Sequence, residues 1–206
     1  MFNWAKSNLG EPDPAELLRD ICNEKRGVNL HTLEQVILLA VEIAREGREG
    51  RKVGTMFVVA DSEATLKQSR CLILDPLWHH PDEIKRIDNP NMRETVKELA
   101  QLDGAFIVSD AGIVLSATRY LYAAADDIEL PLGLGSRHMA AASITKSTDA
   151  IAVVVSESAI VRVFDGGELI SEIIPELWLI RRYGLHLSGP YSLRKVEEMA
   201  VASKRE

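Results

Sequence analysis

Apolar positions change their period several times along the chain. In HTLEQVILLAVEIAREGREGRK, Leu33, Val36, Ile37, Ala40, Val41 and Ala44 recur at three- and four-residue spacing, which aligns them on one face of a helix. The charged run over residues 45 to 52 then reads as a solvated helix end and loop. Upstream, PDPAELLRDICNEK over residues 12 to 25 sets Leu17, Leu18, Ile21 and Cys22 at helical spacing behind a proline suited to a first helical turn. It predicts a short amphipathic helix.

From Gly54 the pattern becomes continuous: TMFVVAD reads as a buried strand, and CLILDPL as a second apolar run after a polar connection. NPNMRETVKELAQL, with its Asn-Pro start and Met92, Val96 and Leu99 on one face, predicts a helix ending near Leu102. DGAFIVSDAGIVLSATRYLYA predicts two strands joined at Asp110-Ala111-Gly112, and DGG at residues 165 to 167 marks a second hairpin. Between them a loop, a helix over residues 137 to 148 and a strand over residues 150 to 155 are expected. PELWLIRRYG and SLRKVEEMAVASKRE read as helical. Hairpins mixed with crossover helices predict one α/β domain over residues 29 to 206, with a central mixed sheet surrounded by helices. A helical extension over residues 1 to 28 precedes it.

Composition narrows the class. With 206 residues, 46% of them hydrophobic, the chain can bury one substantial core. A net charge of −7 argues against nucleic acid as a partner, since coating a phosphate backbone takes a broad basic face. Cys22 and Cys71 show neither CxxC spacing nor the density of a secreted scaffold. No apolar run approaches the roughly 18 to 20 residues of a membrane span, and MFNWAKSNLGEPD lacks a signal pattern. The expectation is a soluble cytoplasmic protein with no membrane partner.

Candidate chemistry concentrates in two segments. In GLGSRHMAAASITKS, Ser136 is expected to cap a helix that opens with Arg137 and His138. A helix N-terminus with a guanidinium beside it suits an anion such as phosphate, although a surface helix start with two solvated side chains fits the same residues. Asp103-Gly104-Ala105 lies where a helix gives way to a strand. A carboxylate there could hold magnesium or manganese together with substrate phosphates, or simply belong to an Asp-Gly turn. Asp75, His79, His80 and Asp82 crowd a Pro-bounded loop without the spacing of a zinc site. Trp78 and Trp178 suit packing or an interface.

Taken in order, LDGAFIVSDAGIVLSA, LPLGLGSRHMAA and STDAIAVVVSE resemble the diadenylate cyclase (DAC) family, which carries a DGA motif and, some thirty residues on, an RHR motif. VGTMFVVAD and CLILDPLWHHP resemble the family's opening strands, so the resemblance covers roughly residues 30 to 165. It implies a catalytic set of Asp103, Arg137 and His138. Asp103 would bind Mg2+ or Mn2+ and help activate a 3′-hydroxyl. Gly104 and Ala105 would line the nucleotide, while Ser136, Arg137 and His138 would hold its phosphates. Leu121 would lie against adenine, and Ser156 would face the base or ribose. The implied reaction condenses two ATP into cyclic di-AMP with release of two pyrophosphates, across a facing homodimer or larger oligomer. The departure is Met139, standing where the motif has its third arginine. Lys146 or Arg119 are candidates to replace that charge, and a catalytically silent nucleotide-binding regulator is the alternative function. An assembly protein using the same surface without a ligand is a third.

Overall fold

The computed structural model describes residues 18, 20–22, 27–122 and 127–175, and the backbone of residues 191–196 and 199–204. Helix α1 spans Leu30–Glu46, capped by the Asn29 side chain, which accepts from the Thr32 N–H. Strand β1, Thr55–Val59, is followed by α2, Ser62–Lys67, and the short strand β2, Ser69–Cys71. Helix α3, Pro90–Leu99, has Asn89 as its cap and proline in its first turn. The hairpin of β3, Ala105–Val108, and β4, Val114–Leu121, comes next. Helix α4, Ser136–Ser147, leads to β5, Ile151–Val155, then β6, Val161–Asp165, and β7, Glu168–Ile174. Strands β8, Tyr191–Val196, and β9, Met199–Lys204, close the described chain.

These nine strands form one mixed sheet in the order β2-β4-β3-β1-β5-β6-β7-β9-β8. β1 and β3 run parallel, and every other neighbouring pair is antiparallel. The central strands are apolar throughout because both faces are covered. Phe57, Val59, Phe106 and Val153 pack under α1 and α3. Met56, Val58, Ile107 and Val154 face the other way, against Ala141, Ala142 and Ile144 of α4. The result is an α/β fold with helices on both sides of a mixed sheet, as the alternating patterns predict.

Three expectations need correction. The polar connection SEATLKQS contains α2, and CLILDPL is not a strand: only Cys71 belongs to β2, while Leu74 is 95% exposed. A strand needs backbone pairing as well as apolarity, and after the Leu72 N–H donates to the Thr118 carbonyl at 2.9 Å the chain leaves β4, beside the bulge in that strand. SLRKVEEMAVASKRE contains the β8–β9 hairpin instead of a helix. Its Lys, Glu, Ala and Met content favours a helix, but β9 pairs along β7, whose backbone would otherwise be left as an open edge. The expected helix over residues 12 to 25 and the segment PELWLIRRYG lie outside the described residues, apart from a short turn. Within that turn Leu18 and Ile21 are buried in the same cluster as α1.

Candidate active site

The Asp103-Gly104 corner is held from behind by a bulge. Ala105 pairs with Arg119 and Ile107 with Ser116, so β4 carries one extra residue there. The bulge leaves Thr118 at φ 54, a left-handed conformation that a β-branched residue rarely adopts. Gly104 has φ 106, and a Cβ on it would stand 2.6 Å from the Thr118 carbonyl carbon. Glycine is therefore demanded by the close pass of β4. Asp103 projects from this corner with 78% of its side chain exposed.

Helix α4 supplies the facing wall. Its N-cap is Gly135, one residue before the expected cap, and Ser136 is the first helical residue. The Arg137 guanidinium donates to Asp103 Oδ1 at 3.1 Å and lies 3.5 Å from Glu157 Oε1. It lies against Gly54, where a Cβ would come within 2.7 Å of Nη1. Glycine at 54 thus opens the slot through which Arg137 crosses between two carboxylates.

His138 does not join it. The residue is 7% exposed, with Nδ1 accepting from the Gly135 N–H at 3.2 Å and Nε2 lying 3.3 Å from Arg162 Nη1. Arg162 is itself bound to Glu172 in a buried ion pair of 2.7 Å. Consecutive helical residues project about 100° apart, so with Arg137 at the cavity the imidazole turns into the sheet. Its role here is to cap α4 and tie the helix start to β6.

Asp103, Gly104, Leu121, Ser136 and Arg137 line one cavity of about 130 Å³. Met56, Ala140 and Leu121 form its apolar wall, and Arg119 borders it. Arg119 donates to Ser69 Oγ, to the carbonyls of Leu66 and Ser69, and to Cys71 Sγ. It has no carboxylate partner among the described residues. Lys146 lies elsewhere, bonded to the Asp127 carbonyl at 2.8 Å. Ala105 is buried at the start of β3. Ser156 does not line the cavity: its hydroxyl bonds Ser158 Oγ and the backbone of Ile160, closing the β5–β6 turn. The neighbouring Glu157 reaches Arg137 instead.

Sequence reading missed Gly54, Glu157 and the bulge at Thr118. A glycine directly before an apolar strand was the one signal for Gly54, and nothing local announces the bulge. In the Pro-bounded loop, Asp75 accepts from the Ser116 hydroxyl and from the N–H groups of Leu77 and Ala117, so it braces the loop as expected of a structural residue. Trp78 is exposed there.

No group of three or more His, Cys, Asp or Glu stands ready to hold a metal among the described residues. A single exposed carboxylate, Asp103, faces a cavity that also carries Arg137. That donor set fits a hard cation shared with substrate oxygens and does not fit a protein-only cage. No described helix is long and apolar enough to cross a membrane.

An apolar-walled cavity with one carboxylate, one guanidinium and a helix N-terminus, set in a mixed α/β sheet, suits an anionic ligand with an apolar part. Residues 42–169 match the family model described as DisA bacterial checkpoint controller nucleotide-binding, or DAC, and the chain belongs to that family. A Methanocaldococcus jannaschii protein named diadenylate cyclase is 50% identical over 145 residues, which is 70% of this chain and 46% of the relative. A Haloferax volcanii protein of the same name is 36% identical over 181 residues, covering 82% of this chain and 65% of the relative. The matches thus span about half to two thirds of those relatives. A solved structure of a hypothetical membrane spanning protein from Bacillus cereus is 22% identical, with a TM-score of 0.48 over 71% of this chain and 72% of that one.

Proposed function

We propose that this chain is a diadenylate cyclase, a nucleotidyltransferase that joins two ATP into cyclic di-AMP and releases two pyrophosphates. The observation that carries the reading is the convergence of Asp103, Gly104, Leu121, Ser136 and Arg137 on one cavity, in a chain half identical over 145 residues to a protein of that name. Each 3′-oxygen forms a bond to the α-phosphorus of the other nucleotide. The bridging bond to the β-phosphate breaks, its electron pair leaves with pyrophosphate, and the hydroxyl proton is released.

The parts have separate roles. Leu121, Met56 and Ala140 offer an apolar surface to the base. Ser136 and the start of α4 face the phosphates, where unpaired helical N–H groups and the dipole favour negative charge. Arg137 is held by Asp103 and Glu157, so its planar donors are oriented before substrate arrives. Asp103 with substrate oxygens would hold magnesium or manganese, which when bound offsets negative charge at the reacting phosphate. His138 acts by fixing the helix start.

A facing dimer is the arrangement proposed for turnover, and the size of the site supports it. Enclosed small-molecule pockets run to roughly 300–1,000 Å³, whereas this cavity is about 130 Å³. Part of the nucleotide then stays at the surface, where a second copy presents its own in a two-fold arrangement. A silent nucleotide-binding regulator is the second reading, favoured by Met139, which brings no charge to the third motif position.

The test is to incubate the protein with ATP and either metal, and to identify products by mass spectrometry beside Asp103→Asn. Cyclic di-AMP that disappears in the variant is expected. ATP binding without that product, under conditions where the protein is dimeric, favours the silent regulator and overturns the cyclase.

A further inference from the structure

A second cavity of about 210 Å³ opens beside Arg137, which lines both. Arg48, Arg51 and Lys52 from the turn after α1 line it, with Glu157 from the β5–β6 turn. That turn is tightly built. Gly47 ends α1 at φ 62, and a Cβ there would stand 2.2 Å from the Arg51 carbonyl oxygen. Glu49 and Gly50 take φ 49 and 74, the pair of left-handed conformations that a two-residue hairpin turn needs. Arg48 and Arg51 then exchange backbone hydrogen bonds of 2.9 and 2.8 Å.

Residues paired across such a bridge project to the same side, and like charges set opposite one another cost stability. Glu98 neutralises Arg48. Lys52 bonds the carbonyls of Ala44 and Arg45 at 3.3 and 3.5 Å, as a cation at a helix C-terminus does. Arg51 is exposed and has no side-chain partner among the described residues, so helix capping does not account for it. Arg51 and Lys52, which have no carboxylate bonded to them among the described residues, therefore bring two positive charges to a cavity that Arg137 shares with the first one, where the carboxylate of Glu157 is engaged by Arg137.

We propose that this cavity takes the β- and γ-phosphates of the bound nucleotide, and pyrophosphate after transfer, with Arg51 and Lys52 supplying the cationic contact that Met139 cannot. The identity of the nucleotide rests on the cyclase reading; the polyphosphate site itself does not. The negative charge that grows on the leaving group as its bond to the α-phosphorus breaks falls beside these cations, and Arg137 spans both halves of the substrate.

Calorimetric titration with inorganic pyrophosphate, and separately with AMP, in the same magnesium buffer tests this on the full chain and on Arg51→Ala/Lys52→Ala. Losing charge-assisted contacts should weaken pyrophosphate at least about tenfold while AMP affinity stays within about twofold, and Arg51→Lys should recover most of the loss. Pyrophosphate that fails to bind the wild-type chain, or binds the double variant equally well, overturns the proposal. Its failure is separable from that of the cyclase. Product formation with an unaltered KM for ATP and unaltered inhibition by pyrophosphate in the double variant removes the polyphosphate site alone. Arg51- and Lys52-dependent pyrophosphate binding in a chain that makes no cyclic dinucleotide removes the cyclase alone.

Discussion

Replacing Gly54 by alanine should cost activity without costing the fold. The new methyl would stand 2.7 Å from Arg137 Nη1 and 3.2 Å from its Cζ and from Glu157 Cγ. To restore an ordinary 3.4 Å contact the guanidinium must retreat by about 0.7 Å, which stretches its 3.1 Å bond to Asp103 beyond hydrogen-bond range. The atoms that must yield are the far ends of two flexible side chains, so the strand behind them has no reason to move. Alanine also restricts the unfolded chain, which adds a few tenths of a kcal/mol of stability where the backbone tolerates it. Misaligning one charge-assisted contact to phosphate is worth about 1.5–3 kcal/mol, or about 10- to 150-fold in kcat/KM. Steady-state kinetics with ATP and a melting curve measure both sides of this claim. Because the effect runs through Arg137, Gly54→Ala added to Arg137→Ala should lose little beyond Arg137→Ala alone. A Gly54→Ala protein within about threefold of wild-type kcat/KM, or a fully additive double variant, would refute the slot argument.

Three further outcomes follow from the fold. Glu172→Gln leaves the buried Arg162 guanidinium opposite a neutral amide where a 2.7 Å ion pair stood. It should destabilise by about 3–5 kcal/mol, lowering Tm by roughly 6–20 °C in a calorimetric scan, with Arg162→Met/Glu172→Met recovering much of the loss. Ile21→Ala empties a fully buried position in the core cluster and should cost about 2–5 kcal/mol by denaturant titration; a change below about 1 kcal/mol would show that the stretch before α1 is not part of the folding unit. The hydrogen bond from Arg48 holds the Glu98 carboxyl below the ordinary glutamate range. Its stabilising contribution is therefore full above that range and is lost as pH falls through the lowered value, and an NMR titration of Glu98 should return to the ordinary range in Arg48→Gln.

Much of this architecture is legible in the order of periods along the chain. Leu33, Val36, Ile37, Ala40 and Ala44 fall on the buried face of α1 as their spacing requires, and both hairpins turn where Asp-Ala-Gly and Asp-Gly-Gly place them. Asp103, Gly104, Leu121, Ser136 and Arg137 do converge on one cavity. What sequence could not supply was direction and partnership. Met199 to Lys204 carries a helix former's composition, yet the open edge of β7 decides its state, and that edge exists only in the assembled sheet. The family resemblance implies that Ser156 faces the base or ribose, and in this structure its hydroxyl bonds the backbone of Ile160 within the turn.

The Arg-His pair shows how helix geometry separates neighbouring side chains. Neighbouring residues on a helix diverge by about 100°, so Arg137 and His138 leave the first turn of α4 in different directions. With Arg137 facing Asp103, His138 turns toward the sheet, where it meets the buried Arg162 and the Gly135 N–H. Residues spaced four apart are the ones that share a face, and Ser136 and Ala140 do line the cavity together. Met139, two positions beyond Arg137, projects well away from its direction, so an arginine there would not simply double the same contact. The missing charge is better sought on another element that lines a cavity together with Arg137. The turn carrying Arg51 and Lys52 is such an element, which is why a chain lacking the third motif arginine can still present more than one cation to a polyphosphate.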